Sequence, residues 1–134
     1  MPKSRKKPVR SKLVKKLDVI FSKYVRLSYA DKNGICTCVT CGKKGYWEKD
    51  GIQAGHFMSR KHYSTRWDID NVQPQCLKCN MYNQGEQYAY SLHLGAATSD
   101  LLMKKSREIS KFSVHELQEM IKKYEELVKM YNYV

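Results

Sequence analysis

The sequence predicts an α+β fold, a small β-rich centre stapled by zinc with helices on both flanks. Two features carry this. Cys38-Val-Thr-Cys41 and Cys76-Leu-Lys-Cys79 are paired C-x-x-C knuckles, and apolar residues recur at helical spacing most clearly towards the two ends of the chain. The third is negative: residues 35–75 lack that spacing and hold short apolar runs broken by Gly, Asp and Asn.

In order along the chain, residues 1–10 form a basic arm and 11–134 a single domain, with its core at 35–95 and helical flanks at 11–30 and 97–132. From Ser11 to Ala30, Leu13, Leu17, Ile20, Phe21 and Tyr24 make an apolar stripe between lysines, and Asp31-Lys-Asn-Gly34 ends the helix as a turn. Short strands and loops carry Cys36 to Gly42 and then Ile52 to Met58. Pro74 precedes a helix that starts near Cys76 to Asn80 and runs towards Leu94, where Gly95 stops it. A short helix follows Ser99. In the last helix Ser113-Val-His-Glu116 is a capping box, and Val114, Leu117, Ile121, Tyr124, Leu127, Val128 and Tyr131 form one stripe, suited to a core or to a seam with a partner helix.

At 134 residues and 42% apolar composition the chain is globular and one domain long. Its apolar runs are too short to span a bilayer, and the N-terminus lacks the apolar stretch and cleavage site of a signal peptide. The expectation is a cytoplasmic protein, where five cysteines favour metal over disulfides. The net charge of +12 is uneven: Lys3, Arg5, Lys6, Lys7, Arg10, Lys12, Lys15 and Lys16 stand without an acidic residue among them. The centre is basic too, at Lys43, Lys44, Arg60, Lys61, Arg66 and Lys78. A basic tail alone is as often a solvated segment; with a basic centre the charge favours nucleic acid, whose phosphates release counterions when neutralised. A membrane surface fits less well, since no helix is basic with a broad apolar face.

Two thiolates separated by two residues can reach one ion at about 2.3 Å, and two such knuckles close a tetrahedral shell, one structural zinc per chain. Gly42 and Asn80 follow the knuckles and suit tight turns. The 34 residues between Cys41 and Cys76 exceed a simple zinc ribbon, so the insert has a shape of its own. Cys36 is the fifth thiol, expected as a small buried apolar group.

The insert reads Gln53-Ala-Gly-His-Phe-Met-Ser-Arg60, Thr65-Arg-Trp-Asp-Ile-Asp-Asn71 and Gln73-Pro-Gln-Cys76, followed by Asn80, Asn83 and Gln84. In Gly55-His56-Phe57, Asn71 and the Cys79-Asn80 step the sequence resembles the HNH nucleases. Over residues 36–95 it more closely resembles the phage NinG (Rap) recombination proteins, through C-x-x-C-G, A-G-H-F, S-R, T-R-W-D and D-N-V-Q-P-Q-C-x-x-C-N. It is similar also to phage endonuclease VII, in which paired C-x-x-C knuckles hold zinc around the same motif. The resemblance implies an HNH-like, treble-clef-type ββα-metal core and a metal-dependent endonuclease acting on branched DNA such as Holliday junctions or D-loops, in phage recombination.

On that resemblance His56 is the general base, Asn80 a ligand for catalytic Mg²⁺ or Mn²⁺, and Asn71 a brace that aims the histidine. One position departs from the pattern. Related nucleases often carry Asp or His just before the base, as a metal ligand, and here it is Gly55; Asp68, Asp70, Glu48 or Asn83 could substitute, Asn80 with phosphate and water could hold the metal weakly, or activity could be reduced.

Arg60, Lys61 and Arg66 beside the His56 loop, with Lys3, Arg5, Lys6 and Lys7 of the arm, are expected on DNA phosphates; for Arg60 and Arg66 the alternative is ion pairing with Asp68 or Asp70. Tyr63 and Trp67 fit base stacking or core; Tyr82, Tyr88 and Tyr90 fit packing. His62 fits ordinary surface, and His93 and His115 have no assigned role. A homodimer joined through the terminal helices would suit a symmetric branch. The rival reading is a non-catalytic zinc module that binds nucleic acid; it accounts for the charge and the cysteines but not for Gly55-His56 and Cys79-Asn80 occurring together.

Overall fold

The computed structural model describes residues 9–131, so Lys3, Arg5, Lys6 and Lys7 of the basic arm lie outside the described residues. The architecture is mixed α+β, five α-helices around two small antiparallel hairpins. Helix α1 (Val9–Tyr29) takes in the last two residues assigned to the arm and buries Leu17, Phe21, Val25 and Leu27 along one face. It stops where Asp31 turns the chain: its carboxylate accepts from the N–H of Asn33 (2.8 Å) and Ile35 (3.0 Å), and Gly34 takes a positive φ of 80°.

Strands β1 (Ile35–Thr37) and β2 (Lys44–Tyr46) form the first hairpin. In the stretch Cys36 to Gly42, expected as short strands and loops, the strand ends at Thr37 and Cys38 to Gly42 fold into the knuckle that joins the two. There the Gly42 N–H returns to the Cys38 carbonyl at 2.9 Å with φ 81°, and the Cys38 N–H reaches Lys43 at 2.8 Å. The second hairpin pairs β3 (Ile52–His56) with β4 (Val72–Cys76), Ile52 opposite Cys76 and His56 opposite Val72. The sequence hid β4 because Pro74 lacks an N–H and normally marks an edge or a break. Here its carbonyl accepts from Val39 N–H (2.9 Å) and so ties the two hairpins together.

Between β3 and β4 the chain makes a short helix α2 (Tyr63–Arg66) and a 3-10 turn (Ile69–Asn71), in a stretch whose sequence showed no helical stripe. The single helix expected from Cys76 to Leu94 is two pieces. A π-helical turn (Lys78–Tyr82) follows the second knuckle, and α3 (Gln87–Leu94) begins only after Gln84, Gly85 and Glu86, all at positive φ. Left-handed residues cannot continue a right-handed helix. Gly95 does end α3, and α4 (Ala96–Ser106) starts directly behind it, three residues before Ser99.

Helix α5 (Val114–Val128) opens with both halves of its capping box, Glu116 N–H to Ser113 Oγ at 3.0 Å and Ser113 N–H to Glu116 Oε1 at 2.9 Å. Its stripe is core. Leu117, Ile121 and Tyr124 lie against Leu17, Phe21 and Val25 of α1, with Phe21 edge-on to Tyr124 at 5.1 Å, so the two terminal stripes cover each other within one chain rather than waiting for a second copy. Trp67 and Val72 join the same cluster, which sets the His56 hairpin on the α1–α5 pair. Among the described residues no helix is long and apolar enough to cross a membrane.

Candidate functional site

The two knuckles meet. The sulfurs of Cys38, Cys41, Cys76 and Cys79 all lie within 4.8 Å of one another, three buried and Cys41 exposed, with Cys41 and Cys76 at 3.6 Å. Metal–sulfur bonds of about 2.3 Å in a tetrahedron put sulfurs about 3.8 Å apart, so the cluster could hold a zinc ion as it stands. Burial opposes ionisation of Cys38, but hydrogen bonds from Thr40 and from backbone N–H groups outweigh it and bring this thiol down to about 6. Burial and the neighbouring sulfurs push Cys79 up to about 12. A dication removes that conflict by stabilising every thiolate at once. Cys36 is apart from the cluster and fully buried, its thiol donating to the Arg26 carbonyl at 3.1 Å.

One knuckle ends β4, which pairs with β3, and β3 ends in His56. Nε2 of His56 lies 2.9 Å from the carbonyl oxygen of Arg66. A carbonyl only accepts, so Nε2 carries the hydrogen and Nδ1 the lone pair. Burial is the largest influence on this imidazole and lowers its pKa; Arg60 and Arg66 add to that, while the carbonyl bond and Asp18 work against it. The ring is therefore neutral near pH 7 and able to accept a proton at Nδ1.

Asn71 holds the loop that brings Arg66 to the histidine. Fully buried, it donates to the carbonyls of Met58 (2.9 Å) and Thr65 (3.0 Å) and accepts from Met58 N–H (2.8 Å), and its own carbonyl takes the N–H of Phe57. Tyr90, buried on α3, donates to the Gly55 carbonyl at 2.7 Å and fixes the strand just ahead of His56.

His56 and Asn80 line one open cleft of about 670 Å³, with Gln53, Arg60 and Asp18 among its walls. The Asn80 amide nitrogen donates to Gln53 Oε1 at 2.7 Å, which leaves the carbonyl oxygen Oδ1 for another partner. None of the proposed substitutes for the residue before the histidine reaches this cleft. Asp68 pairs with Lys105 at 2.6 Å, Asn83 donates to Glu86 at 3.1 Å, and Asp70 and Glu48 lie elsewhere. Gly55 is fixed by packing: a Cβ there would meet Gln75 Oε1 at 2.0 Å and Gln75 Cβ at 2.7 Å. Gln75 is itself fully buried, its amide nitrogen donating to the Gly85 carbonyl (2.7 Å) and Thr40 (3.2 Å) while Oε1 has no partner.

Asp18 of α1 was missed in the sequence, a single acid among lysines with no motif around it. Its carboxylate accepts from Arg66 Nε (3.0 Å), from Arg66 Nη2 (2.6 Å) and from the Trp67 indole (3.0 Å). The third guanidinium nitrogen of Arg66 donates to the Arg60 carbonyl at 2.8 Å. Arg66 is thus fully committed inside the protein, to Asp18 rather than to Asp68 or Asp70, and is not a free phosphate fork. Arg60 is 61% exposed and only 3.6 Å from Asp18, and Lys61 is exposed; both can reach a phosphate. Trp67 is core, Tyr63 is exposed at the edge of Trp67, and Tyr90 packs as expected. Tyr82 and Tyr88, expected to pack, are 76% and 77% exposed. His62 is half-buried and His93 exposed, and the exposed His115 stands 3.9 Å from Glu119.

A family model described as bacteriophage lambda NinG protein matches residues 2–133. Comparison with curated proteins and with solved structures gave no match.

Two outcomes follow from the packing. Gly55→Asp, which introduces a carboxylate beside His56, destabilises the fold by about 1–3 kcal/mol or more through the collision with Gln75, and calorimetry shows no new site for Mg²⁺. Asp18→Asn leaves Arg66 without its counter-charge, costs about 2 kcal/mol in urea unfolding and lowers the His56 pKa further, as followed by NMR titration of the ring.

Proposed function

The chain belongs to the bacteriophage lambda NinG family, phage recombination-related proteins, and from that premise we propose that it is a metal-dependent endonuclease of the HNH type, acting on branched DNA. The observation that supports this best is the cleft shared by His56 and Asn80, side chains from a strand end and from the turn after the last cysteine. An antiparallel hairpin followed by a helical turn carrying an oxygen ligand is the arrangement of a ββα-metal motif, and β3, β4 and the Lys78–Tyr82 turn have that order.

In this reading His56 Nδ1 takes the proton of an attacking water, with Nε2–H anchored on the Arg66 carbonyl so that the lone pair keeps its direction. Asn71 and Tyr90 hold the two backbone segments that this anchoring needs. Arg60 offers its exposed guanidinium to the phosphate. The donor set facing the cleft suits a hard divalent cation only in part, because amide oxygens of Asn80 and its neighbours are neutral and Asp18 is already paired. Asn80 Oδ1 would be the protein's ligand for Mg²⁺ or Mn²⁺, and such an ion would supply charge stabilisation at the leaving oxygen. Zinc in the cysteine cluster fixes the end of β4 and the Asn80 turn. A homodimer, if two strands are cut, joins through surfaces other than the α1 and α5 stripes.

The shortage of carboxylates favours the second reading, a non-catalytic zinc module that binds nucleic acid. Incubation of a four-way junction and a linear duplex with Mg²⁺ or with EDTA separates the two. The nuclease reading expects Mg²⁺-dependent cutting of the junction that falls by about 10²–10⁴ in His56→Ala; equal background from both proteins, with binding intact, establishes the binding module. Because the His56 pKa is depressed below 6.5, its base form is full at neutral pH and is lost only as pH falls below 6.5, so the acid limb of the rate lies there and vanishes in His56→Ala. Cys76→Ser removes zinc, measured as about one ion per chain in the wild type, and with it the cooperative unfolding transition.

A further inference from the structure

A second hollow, of about 580 Å³, runs along the outer face of α1 beside the loop that follows His56. Its helix wall is Ser11, Val14, Lys15 and Val19, and its loop wall is Arg60 and Lys61. It shares Asp18 and Arg60 with the His56 cleft, so the two hollows meet at those residues. We propose that this groove is a binding site for the sugar–phosphate backbone of a nucleic-acid strand, which it leads into the cleft. The proposal rests on the nucleic-acid part of the function above and does not need cleavage.

The chemistry of the walls argues for a backbone. Among the described residues Asp18 is the only acid that lines the groove, and its charge is matched by Arg66 at 2.6 Å. Lys15 and Lys61, with no acidic partner among the described residues, present uncompensated positive charge along a rim, and Arg60 between them, 3.6 Å from Asp18, shares that acid with Arg66. Between them lie the half-buried Val14 and the 66% exposed Val19, apolar surface of the size a deoxyribose face covers. Ser11 adds a small donor of the kind found on phosphate oxygens.

Among the described residues that line it, the groove offers no Asn or Gln to read an adenine edge. From Ser11 to Val19 the helix rises about 12 Å, the span of about three phosphates at roughly 3.4 Å of rise each. An anionic membrane would meet the same charge, but two valines in a furrow are not the broad apolar face that insertion needs.

The test uses the full chain carrying His56→Ala, in EDTA, with a fluorescent four-way junction titrated across a range of salt. Lys15→Ala and Lys61→Ala each make the log–log salt slope shallower by about 0.9 and weaken binding about fivefold at 0.15 M salt. Lys122→Ala, an exposed lysine on α5, does neither, and circular dichroism is unchanged in all three. The proposal is overturned if Lys15→Ala leaves the slope unchanged, if Lys122→Ala changes it as much, or if vesicles with anionic lipid bind the protein as tightly as the junction does. Failure of the nuclease reading shows separately: wild type that does not cut, while Lys15→Ala still binds the junction more weakly, removes catalysis and leaves the groove.

Discussion

The convergence of four sulfurs separated by 34 residues of insert is the constraint on which the rest of the molecule depends. It is a joint between two hairpins: one knuckle is the turn of β1–β2, and the other is the end of β4 and the first residues beyond it. Neither hairpin could stand alone, since two-stranded sheets of three to five residues are marginal in water. Linked through the sulfurs, and again where Pro74 accepts from Val39, each becomes the other's support. The position of Asn80 is a consequence, for it is the residue after Cys79 and moves wherever that sulfur is held. Closing so long a loop carries an entropic cost that grows only slowly with length, and a zinc ion held by the four sulfurs would offset it.

The second constraint comes from α1, which belongs to the site as much as to the scaffold. Its inner face packs on α5 and on Trp67, while Asp18, on the side of that face, holds the guanidinium of Arg66. Because the Arg66 carbonyl in turn orients His56, a helix at the start of the chain sets the direction of a ring nearly forty positions on. The same ion pair has an electrostatic effect. Arg66 lies close to the imidazole and lowers its pKa, and Asp18 opposes it. A bare arginine there would favour neutrality more strongly but would be free to swing away and take the carbonyl contact with it.

How much of this was legible depends on whether a feature is local. Knuckle spacing, the capping box of α5, the α1 stripe and the Gly95 stop are all written in short windows, and each emerged where its residues stand. Asn71, read as a brace, is a side chain with no exposure that donates two hydrogen bonds and accepts one. What was hidden is tertiary. Asp18 carries no spacing signal, and its partner lies 48 residues away, so Arg66 read as a free phosphate ligand. Pro74 argued against a strand that exists because one face of it is joined to the other hairpin. The break after Tyr82 rests on three successive left-handed residues of which only Gly85 gives a sign, and the exposure of Tyr82 and Tyr88 could not be foreseen without that break. Gly55 had looked like a missing ligand; it is the space that Gln75 needs.

In the nuclease reading, that exchange of a side chain at 55 for the buried amide of Gln75 decides what kind of metal site the cleft could be. A carboxylate before the histidine has no room here, because a Cβ at 55 meets Gln75. Here the one carboxylate in the cleft already accepts three hydrogen bonds from Arg66 and Trp67. Pulling Asp18 onto a metal would strand the Arg66 charge close to a dication, a repulsion of order 4 kcal/mol per unit charge at about 4 Å and an effective dielectric near 20. Amide oxygens alone compete poorly with water for Mg²⁺, which sheds its hydration reluctantly. In the nuclease reading the missing negative charge must therefore come from the DNA, and cation and phosphate enter the cleft together. In that reading Asn80 Oδ1 would hold the ion weakly by itself, and a bound strand would supply the negative charge that the cleft lacks.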